Sequence, residues 1–142
     1  MLNKFPQWKA LSIGDEDRRL IYINHYNHRE LGFLDHKKTL NILNKSEIAV
    51  VPSRWEEPFG RTALEASSLG CATIISDRGG LKETTKHAII LKNIDEKNLF
   101  SELKNLINNK KFRTNLQKLS RNNVNHLINN NTKIIDQVRE NL

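Results

Sequence analysis

The stretch that decides the fold is IAVVPSRWEEPFGRTALEASSLGCATIISDRGGLKE, which covers Ile48–Glu83. It opens with the apolar, β-branched run IAVV, which is typical of a strand buried on both faces and which ends at Pro52. After a polar loop, Gly60 precedes a helical segment that Gly70 is placed to end in a left-handed cap. The run ATIIS then predicts a second strand directly after that helix.

A glycine turn, DRGG at residues 77–80, follows this second strand and precedes the helix-forming run LKETT. Strands that alternate with helices form right-handed crossovers and therefore a parallel sheet. Open parallel sheets bind ligands outside the carboxyl ends of their strands, where both loops of this stretch fall. Glycines there let backbone N–H groups approach a diphosphate, and helix N-termini favour anions. The sequence thus predicts an α/β fold with an anion site at one sheet edge.

Two carboxylates, Glu57 and Glu65, are separated by seven residues. The first falls on the loop and the second about a turn and a half into the helix, so both can face one ligand. Carboxylates accept paired hydrogen bonds from vicinal hydroxyls, and a polyol such as ribose or a hexose therefore suits them. Taken singly, Glu57 could instead cap the helix and Glu65 could be an exposed helix residue. The two glycine turns beside them favour a ligand site.

These residues resemble the retaining GT-B glycosyltransferases of family 4, whose E-x7-E motif is here EPFGRTALE, from Glu57 to Glu65. The resemblance includes Gly79 and Gly80 downstream, and it extends more weakly over residues 8–123. It implies a Rossmann-like parallel sheet flanked by helices, the C-terminal half of a GT-B fold. It also implies retaining glycosyl transfer without a bound metal, with a nucleotide sugar as substrate and no cofactor. A UDP-sugar is favoured only by its frequency in the family.

By the same resemblance, Glu65 binds the ribose of the donor, and Glu57 lies beside the transferred sugar and its phosphate as the catalytic residue. The other donor-binding residues that it implies are Phe59, Gly60, Arg61, Gly79 and Gly80. For Arg61, a solvated arginine at the start of the helix is an equal alternative. Trp55, on the same loop, could touch a sugar or pack within the loop.

A complete GT-B enzyme has two Rossmann-like domains, whereas 142 residues make roughly one. We therefore expect a nucleotide-sugar-binding domain over residues 1–123, incomplete at its N-terminus, and a helical tail over residues 124–142. A separate N-terminal GT-B domain would hold the acceptor, and the isolated chain would be inactive. The alternative is a noncatalytic nucleotide-sugar-binding or assembly module. In the first case the acceptor is a glycan or a lipid-linked glycan, as in polysaccharide or lipopolysaccharide biosynthesis.

The composition of the chain limits the cellular compartment and the classes of partner that can be expected. One cysteine allows no internal disulfide and no apolar run approaches the ~20 residues that span a bilayer, so a cytoplasmic protein is expected. The formal charge is +7, but the basic residues are scattered in short pairs, which disfavours a nucleic-acid site. Peripheral contact with the anionic inner face of a membrane suits this charge better. His25 and His28 lack a matching second ligand pair, so no metal site is predicted.

Apolar periodicity predicts five strands, near residues 10–13, 30–33, 47–51, 72–76 and 88–91, with helices between them. One helix is expected from His36 to Asn44. A longer one carries a leucine stripe from Leu99 to Leu106, and the pattern resumes after a break at residues 108–109. Cys71 precedes a predicted strand, and a packed thiol is favoured there over a nucleophile.

Overall fold

The apolar runs of this sequence form short strands that pair in parallel. The structure, a computed structural model, describes residues 1–14 and 23–124 and divides into two compact units, residues 1–42 and 43–142. The helical tail predicted beyond residue 124 lies outside the described residues. The division of the chain into a domain over residues 1–123 and a tail stays a prediction.

In the first unit, a 3-10 turn (Leu2–Lys4) precedes two parallel strands, β1 (Ala10–Ser12) and β2 (His28–Glu30). The sequence placed the second of these strands at residues 30–33, and that placement is wrong. Gly32 has a φ of +61°, a left-handed conformation that takes the chain out of the extended state. The strand therefore lies before this glycine.

Helix α1 (His36–Leu43) follows, within one residue of its predicted end. Asp35 starts it, because its Oδ1 accepts a hydrogen bond from the Lys38 N–H at 2.9 Å. This backbone hydrogen bond is the main reason why the pKa of the Asp35 carboxyl lies below its usual value. An aspartate directly before a helical run is a local capping signal in the sequence.

The second unit is built on a parallel sheet in which β4 (Ala72–Ser76) lies between β3 (Ile48–Val51) and β5 (Ile89–Leu91). Every residue of β4 is buried, as its uninterrupted apolar and small composition predicts. The three predicted strands of this unit are confirmed within one residue. The carboxyl ends of β3 and β4 consequently meet at one edge of the sheet.

Helices cover both faces of this sheet. They are α2 (Arg61–Ser68), α3 (Leu81–Thr84), α4 (Glu96–Asn108) and α5, whose described part covers residues 110–124. On one face Ile74 packs with Leu106 of α4, and on the other Ile75 packs with Ala63 of α2. Ala72 and Ile74 fall in one cluster and Ile75 in the other, as the two-residue period of a strand requires. The arrangement is the expected Rossmann-like α/β fold.

Helix α5 is hydrogen-bonded to the rest of the unit through a stripe of polar side chains spaced four residues apart, Arg113, Gln117 and Arg121. Arg113 Nε donates to Glu47 Oε2 at 2.7 Å, and Gln117 Nε2 donates to the Glu47 carbonyl at 2.9 Å. Arg121 Nη2 donates to the Leu69 carbonyl at 2.8 Å. Glu47 immediately precedes β3, so the stripe holds the amino-terminal edge of the sheet. The apolar stripe of this helix was predicted from the sequence, whereas the polar one was not.

The α2–β4 connection confirms the predicted glycine cap. The Gly70 N–H donates to the Ser67 carbonyl at 3.0 Å and the Cys71 N–H to the Ala66 carbonyl at 2.9 Å, the two bonds of a Schellman motif. Cys71 itself is buried, and its thiol donates to the Leu43 carbonyl at 3.2 Å. Burial raises its pKa to about 11. The favoured packed thiol is what the structure shows.

We expect Cys71 to be unreactive in the folded protein. The thiolate is the nucleophile, and at about pH 8 a thiol with this pKa is almost wholly protonated as well as buried. Reaction with Ellman's reagent should be slow in buffer and fast after unfolding in urea. A folded-state rate equal to that of a small free thiol at the same pH would contradict this assignment.

Candidate functional site

Two loops meet at the carboxyl-terminal edge of the second unit's sheet. One joins β3 to α2 through residues 52–60, and the other joins β4 to α3 through residues 77–80. The Gly80 N–H donates to the Glu57 carbonyl at 2.7 Å, and the hydroxyl of Ser76 donates to the Ser53 carbonyl at 2.7 Å. The loops are thus joined directly, at the edge where parallel sheets bind ligands.

Glycine is required where the loops touch. A Cβ on Gly80 would lie 2.6 Å from the Pro58 carbonyl oxygen, and one on Gly79 would lie 2.7 Å from the Glu57 nitrogen. Gly79 also has a φ of +49°, which L side chains rarely adopt. The glycine turn therefore serves a backbone-to-backbone contact, a role that was not predicted from the sequence.

Glu57 lies at this contact, and a residue of its own loop hydrogen-bonds to its carboxylate. The Ser53 hydroxyl donates to Glu57 Oε1 at 3.0 Å, and the Glu57 side chain is half-buried. Its carbonyl is engaged by Gly80, so both ends of the residue are fixed. An oriented, partly dehydrated carboxylate is suited to accepting hydrogen bonds from hydroxyl groups of a ligand.

Glu65 lies on the second turn of α2 and is paired with Arg61 at the start of the same helix. Arg61 Nε donates to Glu65 Oε1 at 3.2 Å, four residues apart. The Glu65 side chain is 22% exposed, whereas that of Arg61 is largely in solvent. Two predicted site residues are therefore joined by an ion pair, and Arg61 is also solvated at the start of the helix, so its contact with a ligand stays a prediction.

Helix α2 begins at this edge without a side-chain cap. Gly60, its N-cap residue, has a φ of 73°, and among the described residues no side chain hydrogen-bonds to the cap. Unpaired N–H groups in a first helical turn favour a negatively charged partner. The structure thus brings the backbone of Gly60 and Arg61, which the sequence analysis proposed for a phosphate, to an edge that also carries Glu57 and Glu65.

Glu56 was not singled out from the sequence, yet it makes the most extensive polar contacts between the loops. Its Oε2 accepts from the Gly79 N–H at 2.6 Å, and its Oε1 accepts from Arg78 Nη1 at 3.3 Å. The two glycine amides predicted to face a diphosphate are therefore bonded to internal acceptors, Gly79 to Glu56 and Gly80 to Glu57. The one sequence signal for Glu56 is its position directly before the E-x7-E motif.

A second ion pair lies on the loop after β4. Lys82 Nζ lies 2.5 Å from Asp77 Oδ1, and this hydrogen bond is the main cause of the raised pKa of Lys82. Arg78 of this loop and Lys82 at the start of α3 thus each face a carboxylate, Glu56 and Asp77 respectively.

Two aromatic side chains of the first loop face solvent. Trp55 is 74% exposed and Phe59 is 56% exposed. Of the alternatives for Trp55, packing within the loop is not what the structure shows. Exposed aromatic rings beside a polar site are available for contact with a ligand or a partner.

No group of three His, Cys, Asp or Glu side chains in residues 1–14 and 23–124 could hold a metal ion. His25 Nε2 lies 2.8 Å from Asn3 Oδ1, and His28 Nε2 lies 2.8 Å from the Ser12 hydroxyl. Over the same residues, the helices are too short or too polar to cross a bilayer.

Comparison with known proteins agrees with the motif. A family model described as glycosyl transferases group 1 matches residues 2–123. Glycogen synthases of two Mycobacterium tuberculosis strains are each 46% identical over 55 residues, which are 39% of this chain and 13% of each relative. An uncharacterized glycosyltransferase of Methanocaldococcus jannaschii is 37% identical over 59 residues, 42% of this chain and 15% of that protein. The alignments thus span a small part of the length of these relatives.

The tight contact at Gly79 predicts that a larger residue there lowers the stability of the fold measurably. We expect Gly79→Ala to lower the free energy of unfolding by about 2–4 kcal/mol, because it combines a left-handed residue with a steric clash. Gly32→Ala is the matched control, since φ there is +61° and nothing lies within 4 Å of its Cβ position. Its loss should be about 1 kcal/mol. Equal losses in urea unfolding would show that the loops do not touch at Gly79.

Proposed function

This chain belongs to the family of glycosyl transferases group 1, and we propose that it binds a nucleotide-diphosphate sugar for retaining transfer to a glycan or cell-envelope acceptor. The observation that carries the proposal is the placement of Glu57 and Glu65 beside the uncapped start of α2. That edge offers acceptors for hydroxyl groups and donors for a phosphate. A nucleotide sugar has both chemistries in one molecule.

In this proposal Glu65 binds the ribose and Glu57 orients the transferred sugar. Hydroxyl groups of the ligand donate to both carboxylates, and each such charge-assisted bond is worth about 1.5–3 kcal/mol. Ser53 and Arg61 hold the two carboxylates in place before the ligand arrives. Phe59 supplies backbone and an exposed ring beside the sugar.

During transfer the bond between the anomeric carbon and the phosphate oxygen breaks, and the electron pair leaves with the diphosphate. The acceptor oxygen forms the new glycosidic bond on the same face of the sugar, which is the meaning of retention, and its proton passes to the departing phosphate oxygen. The N–H groups of Gly60 and Arg61 stabilise the charge that develops on the leaving phosphate. Gly80 contributes through the loop contact, because its own N–H is engaged by Glu57.

The proposal assigns the acceptor to a separate N-terminal GT-B domain, and it makes this chain the donor-binding, C-terminal half. A lipid-linked acceptor would place the enzyme at the inner face of a membrane, where a net charge of +7 favours anionic lipid. On this basis the 142-residue chain alone binds the donor and does not transfer the sugar. A UDP-sugar is the first donor to test.

The ribose assignment predicts that Glu65→Gln weakens binding of nucleotides about tenfold, because one charge-assisted hydrogen bond is lost. Calorimetric titration of the chain with UDP, GDP, ADP and their sugar conjugates measures it. Glu96→Gln, at the exposed start of α4, is the control for the change in net charge. Unchanged affinity for every nucleotide in Glu65→Gln would refute the ribose role.

The assignment of Glu57 makes a different prediction. Glu57→Gln should weaken a sugar conjugate about tenfold and leave the free nucleoside diphosphate nearly unchanged, since this carboxylate contacts only the sugar in the proposal. The same titrations measure the ratio of the two affinities. Equal weakening of UDP and its sugar conjugate would rule out a sugar-specific role. Donor binding without transfer, even with an N-terminal GT-B domain added, would favour the noncatalytic module.

A further inference from the structure

The Glu56 carboxylate lies on two hydrogen-bond donors of the loop after β4. Its Oε2 accepts from the Gly79 N–H at 2.6 Å and its Oε1 from Arg78 Nη1 at 3.3 Å. A guanidinium and a backbone amide that converge on two oxygens of one anion also suit a phosphate. Glu56 therefore takes the place that an oxyanion of a ligand would take at this loop.

Two other hydrogen bonds also join this region without the Glu56 side chain. Gly80 is bonded to the Glu57 carbonyl and Ser76 to the Ser53 carbonyl, and neither bond involves the Glu56 carboxylate. The Glu56 side chain is 70% exposed and that of Arg78 is 48% exposed. Ion pairs at such exposure contribute little to folding. The carboxylate is thus free to leave without opening the loops.

We propose that Glu56 is a specificity-determining residue, which competes with the donor diphosphate for Arg78 and Gly79 and is displaced when the donor binds. The inference rests on the proposed function for the identity of the ligand. A diphosphate carries more charge and more acceptor oxygens than one carboxylate, so it can replace Glu56 on both donors. A neutral nucleoside cannot do so. Glu56 therefore raises selectivity for the diphosphate at the expense of affinity.

The neighbouring ion pair supports a mechanism in which an incoming anion displaces Glu56 from Arg78, rather than one in which it binds an unpaired cation. Lys82, the other cation here, is paired with Asp77 at 2.5 Å. Arg78 is thus the guanidinium that Glu56 would release to an incoming anion. Removal of the Glu56 charge should leave Arg78 and the Gly79 N–H available.

The test is a ¹⁵N NMR titration of the 142-residue chain with inorganic pyrophosphate, observed at the Gly79 amide. We expect Glu56→Gln to bind pyrophosphate about fivefold more tightly than the wild type, and Glu56→Ala to show the same gain. Arg78→Gln should bind more weakly, and the gain from Glu56→Gln should shrink in that background. Glu96→Gln, which removes a charge on α4, should leave the affinity near that of the wild type.

Three results would overturn the proposal: equal or weaker binding in both Glu56 variants, the same gain in Glu96→Gln, or no movement of the Gly79 resonance in any variant. Urea unfolding of each variant shows whether a change in affinity comes from loss of the fold or from loss of the competition between Glu56 and pyrophosphate. Pyrophosphate has no ribose or sugar, so this outcome is independent of Glu65. A failed ribose assignment and a failed Glu56 assignment are therefore distinguishable.

Discussion

The candidate site depends on a contact between two backbones. Gly79 and Gly80 pack against the Glu56–Phe59 segment so closely that a single methyl group would collide with it. Because the contact is made by backbone, it positions Glu57 through its own carbonyl and leaves the carboxylate available. The parallel sheet brings the two loops to the same edge, but only glycine lets them touch. This steric constraint is sufficient by itself to explain why both positions are glycine.

The two edges of the second unit's sheet are held by different kinds of interaction. At the amino-terminal edge, buried Arg113 spans from Glu47 to the end of α4, where its Nη1 donates to the Leu106 carbonyl at 2.5 Å. The buried Cys71 thiol lies near that edge too, directly before β4. Interactions of this kind are costly to break, because they would leave buried polar groups unpaired. At the carboxyl-terminal edge the ion pairs are exposed and cost little to break.

The order of the helices and strands was predictable because local sequence patterns determine it. The β-branched run of β3 and the glycine after α2 each act within a few residues, and the strand and the glycine cap that they predict were placed within one residue. The aspartate before α1 acts equally locally, but it was not singled out from the sequence. The partners that lie far apart in sequence were not predictable. Glu56 meets Gly79 across 23 residues, and Arg113 meets Glu47 across 66. No periodicity predicts such pairs, so the internal acceptors of the Gly79 and Gly80 amides could not be predicted from the sequence. The predicted contact of these amides with a ligand stays a prediction.

The carboxylates at the site already accept hydrogen bonds before any ligand is present. Glu57 accepts from Ser53, Glu65 from Arg61, and Glu56 from Arg78 and Gly79. Binding at such a site is an exchange of partners, so its affinity is the difference between the bonds gained and those given up. A ligand succeeds only when it replaces several of these bonds at once. In the proposed function, a diphosphate replaces Glu56 on both of its donors, and the vicinal hydroxyls of the same ligand donate to Glu57 and Glu65.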